Sequence, residues 1–266
     1  MPRLVTAFSN DTVKLLRSLR DKKARRAEGL FLAEGLRIVA EARDMGRLPQ
    51  IVAFAGRLDE LHPLAAEIVT ETEAAGGEAI ETSPEVLAKM SGKDNPPLLL
   101  AAFTQPRTVL AQLDRAAAPL WFVAERLRDP GNIGTILRTG DAVGAGGLIL
   151  LDESADPYSV EAVRASMGAI FTQAVVQAPW SDFLAWLRSG PGQLVGTSLR
   201  AETDYLAGHY QTPCFLLIGN EQAGLPPDYE AACDLLVKIP MAGRADSLNA
   251  AIATAVMAFQ VRASWR

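Results

Sequence analysis

Residues 125–147 read ERLRDPGNIGTILRTGDAVGAGG, and this stretch decides the fold of the chain. It follows residues 120–124 (LWFVA), an apolar run that predicts a buried strand. Apolar residues then recur at helical spacing, at Ile136, Leu137, Ala142 and Val143. The stretch is therefore predicted to be a strand, a glycine-bearing turn and a helix. In α/β proteins, ligands bind at turns of this kind.

Two polar side chains in this stretch are candidates for chemistry. Gly131 and Gly134 allow the backbone to approach a ligand closely. Asn132 adds an amide, and Arg138 adds a guanidinium about one turn into the helix. Each has an ordinary alternative, because Asn132 can cap the helix and Arg138 can be a solvated charge. Both interpretations stay open on these residues alone.

Composition indicates an ordinary globular protein with ample core. The chain has 266 residues, 49% of them hydrophobic and 21% charged. No apolar run approaches the roughly 18 residues needed to span a bilayer, and the amino terminus lacks the apolar segment of a secretory signal. A cytoplasmic protein is therefore expected. Cys214 and Cys233 are predicted to be free, buried thiols, and with two histidines in the chain no metal site is expected.

Charge is unevenly distributed along the chain. The net charge is −5, yet residues 1–26 carry eight basic side chains and two acidic ones. A basic arm on an acidic protein indicates a polyanionic partner that binds at one place. A solvated helix face is the alternative.

Strands and helices are predicted to alternate, which is typical of an α/β protein. Ser83 and Pro84 predict a capped helix start. Residues 104–119 interrupt the alternation, so we predict a first domain at 1–105, a linker at 106–118 and a second domain at 119–266.

Apolar runs at 148–151 and 215–218 favour strands covered on both faces, and hence a mainly parallel sheet. Strands are predicted at 30–33, 50–55, 78–82, 97–103, 120–124, 148–151, 174–176, 193–199, 214–218 and 235–239, and helices at 13–26, 36–45, 60–75, 84–90, 135–143, 160–170, 180–187 and 247–265.

Three predicted loops follow strands of the second domain and share the edge where ligands bind. The first contains Asn132 and Arg138. The second, residues 219–225, reads GNEQAGL and carries Glu221. The third, residues 240–249, reads PMAGRADSLN and leads into the last helix, which Asp246 or Ser247 is expected to cap.

The three loops together resemble the motifs of a known family. DPGNIGTILRT (129–139), LLIGNEQAGL (216–225) and IPMAGRADSLNAAIA (239–253) are similar to the three motifs of the SpoU (TrmH) RNA ribose 2′-O-methyltransferases, within the SPOUT superfamily. The stretch ARRAEGLFLAEGLRIV (24–39) also resembles the family's ribosomal-protein-like substrate-binding domain. The resemblance implies an α/β fold with a trefoil knot in the carboxyl-terminal sheet, S-adenosyl-L-methionine as cofactor and a homodimer.

The resemblance also implies roles for residues. Catalytic residues would be Arg138, Asn132, Glu221, Ser247 and Asn249, with Arg138 as an electrostatic clamp rather than a base. Residues of the dimer interface would include Ile252, Val256 and Phe259, unless these fill the domain's own core. The cofactor would lie on Thr197, Ser198, Leu217, Gly219, Ile239, Met241 and Leu248. The basic arm would contact RNA phosphates through Lys14, Arg17, Lys22, Lys23, Arg25 and Arg26.

Other functions stay open at this point. Ribosomal RNA is the favoured substrate because a separate substrate-binding domain suits a folded RNA, and transfer RNA is the alternative. A non-catalytic RNA-binding protein that keeps the fold is a second alternative. The G-x-G-x-x-G fingerprint of dinucleotide-binding proteins is absent, which disfavours a nucleotide-dependent oxidoreductase.

Overall fold

Two β-sheets organise the chain, and the computed structural model describes residues 1–266. The strands are β1 (Arg3–Val5), β2 (Leu30–Glu34), β3 (Ile51–Ala55), β4 (Glu78–Thr82), β5 (Leu100–Thr104), β6 (Leu120–Glu125), β7 (Gly147–Leu151), β8 (Ala174–Ala178), β9 (Gln193–Thr197), β10 (Thr203–Asp204), β11 (Cys214–Ile218) and β12 (Leu235–Lys238). The helices are α1 (Asp11–Ser18), α2 (Lys22–Glu28), α3 (Leu36–Asp44), α4 (Pro63–Ala74), α5 (Pro84–Ser91), α6 (Pro130–Val143), α7 (Val160–Ser166), α8 (Trp180–Arg188), α9 (Pro227–Ala232) and α10 (Ala250–Ala263). No helix combines the length and apolar character that crossing a membrane requires.

The chain divides into two compact units. The first contains Met1–Pro106 and Tyr158–Phe171, and the second contains Arg107–Pro157 and Thr172–Arg266. Residues 158–171, which the sequence analysis places in the second domain, pack in the first unit. There the Tyr158 ring lies 5.1 Å from Phe31, and the Phe171 ring lies 4.8 Å from Phe103.

The first unit has a mixed five-stranded sheet in the order β1-β4-β3-β5-β2. Strand β5 runs antiparallel to β2 and β3, whereas β4 is parallel to β1 and β3. Ser83 caps α5 through the N–H of Val86, as predicted. The predicted helix at 13–26 is two helices, because the Asp21 side chain accepts from the N–H groups of Lys23 and Ala24 and so begins a new one.

The second unit contains a seven-stranded sheet in the order β10-β12-β9-β11-β6-β7-β8, and all of its strands are parallel. The prediction of a mainly parallel sheet is confirmed. Alternate side chains of β6 and β11, such as Trp121 and Phe215, pack in a core with Phe183 and Leu187 of α8. Helices α6 and α10 contact each other and also contact strands of the sheet. Strand β10 and helix α9 were not predicted.

The segment predicted to be a linker packs on the second unit. Leu110 and Ala118 are buried in its core, and residues 110–112 and 115–117 form short 3-10 helices. The Arg115 guanidinium donates to the backbone oxygens of Trp186 (2.7 Å) and Leu187 (3.0 Å) at the end of α8. These contacts fix the approach of the chain to β6.

Candidate active site

The order of the parallel strands brings the predicted loops together. Strands β6 and β11 are neighbours in register, with Ile218 beside Ala124. The loops that follow them, 126–129 and 219–226, therefore leave the same edge of the sheet. The loop after β12 leads to α10, which contacts both α6 and β11.

Three of the predicted catalytic residues form one hydrogen-bonded cluster. The side-chain amide of Asn132 donates to Oε1 of Glu221 at 2.9 Å. The amide of Asn249 donates to Oδ1 of Asn132 at 3.0 Å. Thus one residue from each loop is present: Asn132 from the first, Glu221 from the second and Asn249 from the third.

The orientation of both amides follows from the helix that begins at Ala250. The Oδ1 atom of Asn249 accepts from the N–H groups of Ala251 (2.9 Å) and Ile252 (3.3 Å), and a backbone N–H can only donate. The Nδ2 group of Asn249 must therefore face Asn132, whose own Nδ2 then faces Glu221. Oε2 of Glu221 has no hydrogen bond within the chain and can accept one from a hydroxyl or a guanidinium.

The helix caps differ from the sequence-based expectation. Asn249, rather than Asp246 or Ser247, caps α10. Helix α6 is capped by Asp129, which accepts from the N–H of Gly131 at 2.6 Å. The alternative of Asn132 as a helix cap is therefore excluded, and this leaves its side chain to the cluster.

Arg138 and Ser247 do not join this cluster in the single chain. Arg138 is exposed on α6 and has no hydrogen bond or ion pair. Ser247 is exposed, donates to the Asp246 carboxylate at 3.2 Å and lines a neighbouring cavity. The structure thus brings together three of the five residues.

That cavity holds about 310 Å³ and lies beside the second and third loops. Six of the seven residues predicted to bind the cofactor line it: Thr197, Ser198, Gly219, Ile239, Met241 and Leu248. Leu217 does not line the cavity. It lies within β11, where its backbone oxygen accepts from the Thr197 hydroxyl at 3.3 Å.

The lining fits an adenosyl group. It combines backbone groups with apolar side chains such as Ile218, Leu225 and Ile239, which suits a neutral purine. Glu230 also lines the cavity, and its carboxylate pairs with the Arg200 guanidinium, whose Nη2 lies 2.9 Å from Oε1. The sequence analysis missed Arg200 and Glu230, since neither belongs to a motif.

A second cavity, of about 530 Å³, lies on the other side of the loop that carries Glu221. Asn132 and Asn249 line it together with Arg126, Arg128 and Asp129. Residues 220–223 line both cavities, so the loop is a common wall between them. The three-residue cluster faces the second cavity.

Two residues missed by the sequence analysis make hydrogen bonds at the base of this loop. Oε2 of the buried Glu125 accepts from the N–H of Asn220 at 3.3 Å, and Oε1 accepts from the Arg126 guanidinium. The Asn220 amide donates to the backbone oxygen of Arg126 at 2.8 Å. Sequence reasoning could have found Asn220 because it directly precedes Glu221. No nearby residue pointed to Glu125, because its partner Asn220 lies 95 residues later.

The basic arm lies in the first unit, and five of its six predicted phosphate contacts are exposed: Lys14, Arg17, Lys22, Lys23 and Arg26. Arg25 is different, with 3% of its surface exposed. Its guanidinium donates at 2.8 Å to the backbone oxygens of Leu19 and Arg20, at the end of α1. Arg25 thus satisfies the carbonyl groups at the end of a helix and is not presented to a ligand.

Comparisons with known proteins agree with this geometry. Residues 119–259 match the SpoU rRNA Methylase family, and residues 10–101 match the MRM3-like substrate binding domain. The 23S rRNA (uridine(2479)-2′-O)-methyltransferase of Streptomyces viridochromogenes is 35% identical over 251 residues, which cover 91% of this chain and 85% of that protein. The 23S rRNA (guanosine(2553)-2′-O)-methyltransferase RlmP of Bacillus subtilis is 28% identical, covering 97% and 98%.

Solved structures show the same likeness. The AdoMet-bound rRNA methyltransferase from Sinorhizobium meliloti has a TM-score of 0.90 and 39% identity, covering 98% of this chain and 97% of that one. Fold, site and similarities together define an RNA methyltransferase. More narrowly, the chain belongs to the SpoU rRNA methylase family.

Proposed function

We propose that this protein transfers a methyl group from S-adenosyl-L-methionine to the 2′-oxygen of a ribose in ribosomal RNA. The observation that carries this proposal is the loop with Glu221, which is a wall of two neighbouring cavities, one with several apolar side chains and one with the Asn132–Glu221–Asn249 cluster. A donor in the first cavity and a ribose in the second would meet at the edge of this wall, where the ribose oxygen can attack the methyl group directly. Relatives over most of the chain are named 23S rRNA 2′-O-methyltransferases.

The residues around the wall would position the reactants. Thr197, Ser198, Gly219, Ile239, Met241 and Leu248 would bind the donor, which supplies an electrophilic methyl group when bound. Asn132 and Asn249 would hold Glu221 in one orientation, so that its free oxygen Oε2 accepts a hydrogen bond from the ribose hydroxyl or from Arg138. Such positioning can supply a large part of the rate enhancement.

Arg138 would act as an electrostatic clamp on the developing alkoxide. Because it has no contact with the cluster of its own chain, we propose that it completes the site of a second chain in a homodimer. Ile252 (54% exposed) and Phe259 (58% exposed) on α10 support an interface at this helix, and Val256 lies on the same helix. Sedimentation velocity should show a dimer that Phe259→Asp converts to a monomer.

The first unit would bind the RNA. Lys14, Arg17, Lys22, Lys23 and Arg26 are exposed cations that can bind phosphates without reading sequence. The first unit would thus form a substrate-binding domain, and the second unit the catalytic domain. The relatives named as 23S rRNA methyltransferases are bacterial, and bacterial ribosomes lie in the cytoplasm, where we propose that this protein works.

The test is a transfer assay with radiolabelled S-adenosyl-L-methionine on unmodified ribosomal RNA and, separately, on unmodified transfer RNA and on unmodified ribosomal subunits, followed by nucleoside analysis. A labelled 2′-O-methylnucleoside from ribosomal RNA is expected. The Glu221→Ala variant should still bind the donor in calorimetry but lose most transfer. Label in transfer RNA alone would refute the proposed substrate, and no label in either RNA or in ribosomal subunits would leave a non-catalytic RNA-binding protein.

A further inference from the structure

A buried carboxylate lies behind the loop that carries Glu221. Glu125 is the last residue of β6, and its side chain is 1% exposed. It accepts hydrogen bonds from the Asn220 N–H and from the Arg126 guanidinium. Burial of a carboxylate is unfavourable unless the group is paired, and an apolar side chain would fill the end of a strand without that penalty. The proposed donor binding, RNA binding and methyl transfer assign no role to Glu125.

Asn220 connects Glu125 to the whole loop. Its Nδ2 donates to the backbone oxygen of Arg126 at 2.8 Å, and its Oδ1 accepts from the N–H groups of Gln222 (3.0 Å) and Ala223 (3.2 Å). Its backbone oxygen accepts from the N–H of Gly224 at 2.9 Å. The loop is thus closed on itself and attached to the end of β6 through one residue.

The backbone of Arg126 supports the same interpretation. Arg126 has φ = 41°, in the left-handed region that is unfavourable for a residue with a Cβ atom. Such a conformation persists where surrounding contacts determine it, and it is concentrated near functional sites. Here the contacts are the Asn220 amide on its carbonyl and the Glu125 carboxylate on its guanidinium.

We infer that Glu125 is a positioning residue that acts through Asn220: it fixes the loop so that Glu221 stays hydrogen-bonded to Asn132 at the wall between the two cavities. This inference rests on the proposed methyl transfer. The arrangement Glu125–Asn220–loop–Glu221–Asn132–Asn249 connects the ends of β6 and β11 to the start of α10. Preorganised groups of this kind increase the rate of the chemical step rather than the affinity for substrate.

The Glu125→Gln variant tests the inference. A glutamine has one acceptor oxygen and one donor NH₂ group, whereas the site presents two donors, so one of the two hydrogen bonds cannot form. The matched control is Glu34→Gln. Glu34 is also the last residue of a strand (β2), its side chain is 2% exposed, and it pairs with Arg20 and Lys93 in the first unit.

At saturating donor, Glu125→Gln should lower kcat by about 10- to 100-fold with the KM for RNA unchanged, while Glu34→Gln keeps wild-type kcat. If Glu125 acts through Glu221, then Glu125→Gln should cause no further loss in a Glu221→Ala background, as measured in single-turnover reactions. An equal loss in both backgrounds, or wild-type kcat in Glu125→Gln, would overturn the inference.

A second measurement does not depend on activity. Amide hydrogen exchange of residues 220, 222, 223 and 224 should be faster in Glu125→Gln than in the wild type, and unchanged in Glu34→Gln. Unchanged exchange in Glu125→Gln would refute the positioning role whatever the activity. If exchange changes as expected but the wild type methylates no RNA, then the proposed function is wrong and the role of Glu125 in ordering the loop stands.

Discussion

The Asn249 side chain donates a hydrogen bond to Oδ1 of Asn132 at 3.0 Å while its own Oδ1 accepts from the first N–H groups of α10. A helix cap and a member of the candidate active site are therefore the same residue. The two residues lie 117 positions apart, so the contact also joins the first and third loops. A comparison of a variant at Asn249 with a variant at an ordinary helix cap should therefore separate the loss of stability from the loss of activity.

The Asn249→Ala variant should lose both a helix cap and the orientation of Asn132. Loss of a cap costs about 1 kcal/mol of unfolding free energy, and Ser83→Ala, which removes the cap of α5, should cost a similar amount. Urea unfolding measures both losses. Methyl transfer should fall at least about tenfold in Asn249→Ala only. Equal activity of the two variants would show that the Asn249–Asn132 contact has no role in the reaction.

Arg138 offers a test of a shared active site. Arg138→Ala and Glu221→Ala should each be nearly inactive, whereas coexpression should restore about one quarter of wild-type activity, because half of the dimers are mixed and each contains one intact site. If Arg138 works with Glu221 of its own chain, no mixed dimer has an intact site. Absence of recovery, with mixed dimers shown by affinity tags, would contradict the trans arrangement.

The basic side chains of the arm should have two different roles, phosphate binding and stabilisation of a helix end. The double variant Lys22→Ala/Lys23→Ala should bind RNA more weakly and reduce the slope of log K against log salt by about 0.7–0.9 for each phosphate that is no longer neutralised. Arg25→Ala should keep that slope but lose about 1–3 kcal/mol of unfolding free energy, because two carbonyl groups lose their donor. Filter binding at several salt concentrations and urea unfolding distinguish the two. A changed salt slope in Arg25→Ala would indicate that Arg25 binds phosphate after all.

The Cys214 thiol should make stability fall at high pH. Burial raises the pKa of Cys214 from 9.0 to about 12, so the folded state holds its proton more tightly than the unfolded state. The stabilisation is complete below about pH 9 and is lost as pH rises towards 12. Between pH 9 and 10.5, the free energy of unfolding should decrease more steeply in the wild type than in Cys214→Ala, by up to about 1.4 kcal/mol per pH unit. Identical slopes would show that the thiol does not contribute.

The apolar pattern of the sequence predicted the parallel sheet, because continuous apolar runs such as residues 215–218 are strands whose two faces are both covered. It could not predict β1 and β10, whose three and two residues are too few to show a period. It also joined α1 and α2, since capping by Asp21 leaves the pattern of apolar residues unchanged. The trefoil knot stays a prediction of the family resemblance.

In the candidate site, the motifs predicted Asn132, Glu221 and Asn249 as a set. They could not tell which residue caps α10, because Asp246, Ser247 and Asn249 are all good caps. In the structure, the residue that caps the helix is the one that also contacts the distant Asn132. Arg25 and Arg26 are adjacent and chemically identical, yet one is buried and the other exposed. Packing between residues that are distant in the sequence decides which of the two arginines is buried, and a single sequence does not show this packing.

The segment Tyr158–Phe171 has a practical consequence for dissecting this protein. Since it packs with residues 1–106, the polypeptide passes between the two units more than once, and a single cut cannot separate them. A fragment that ends near residue 106 would leave Phe31 and Phe103 without the rings of Tyr158 and Phe171. A fragment that starts near residue 107 would carry α7 with its apolar side uncovered. A stable substrate-binding module would therefore have to be built by grafting residues 158–171 onto the amino-terminal piece through an engineered connection, and deletions made at the obvious boundary would report on misfolding instead of on RNA recognition.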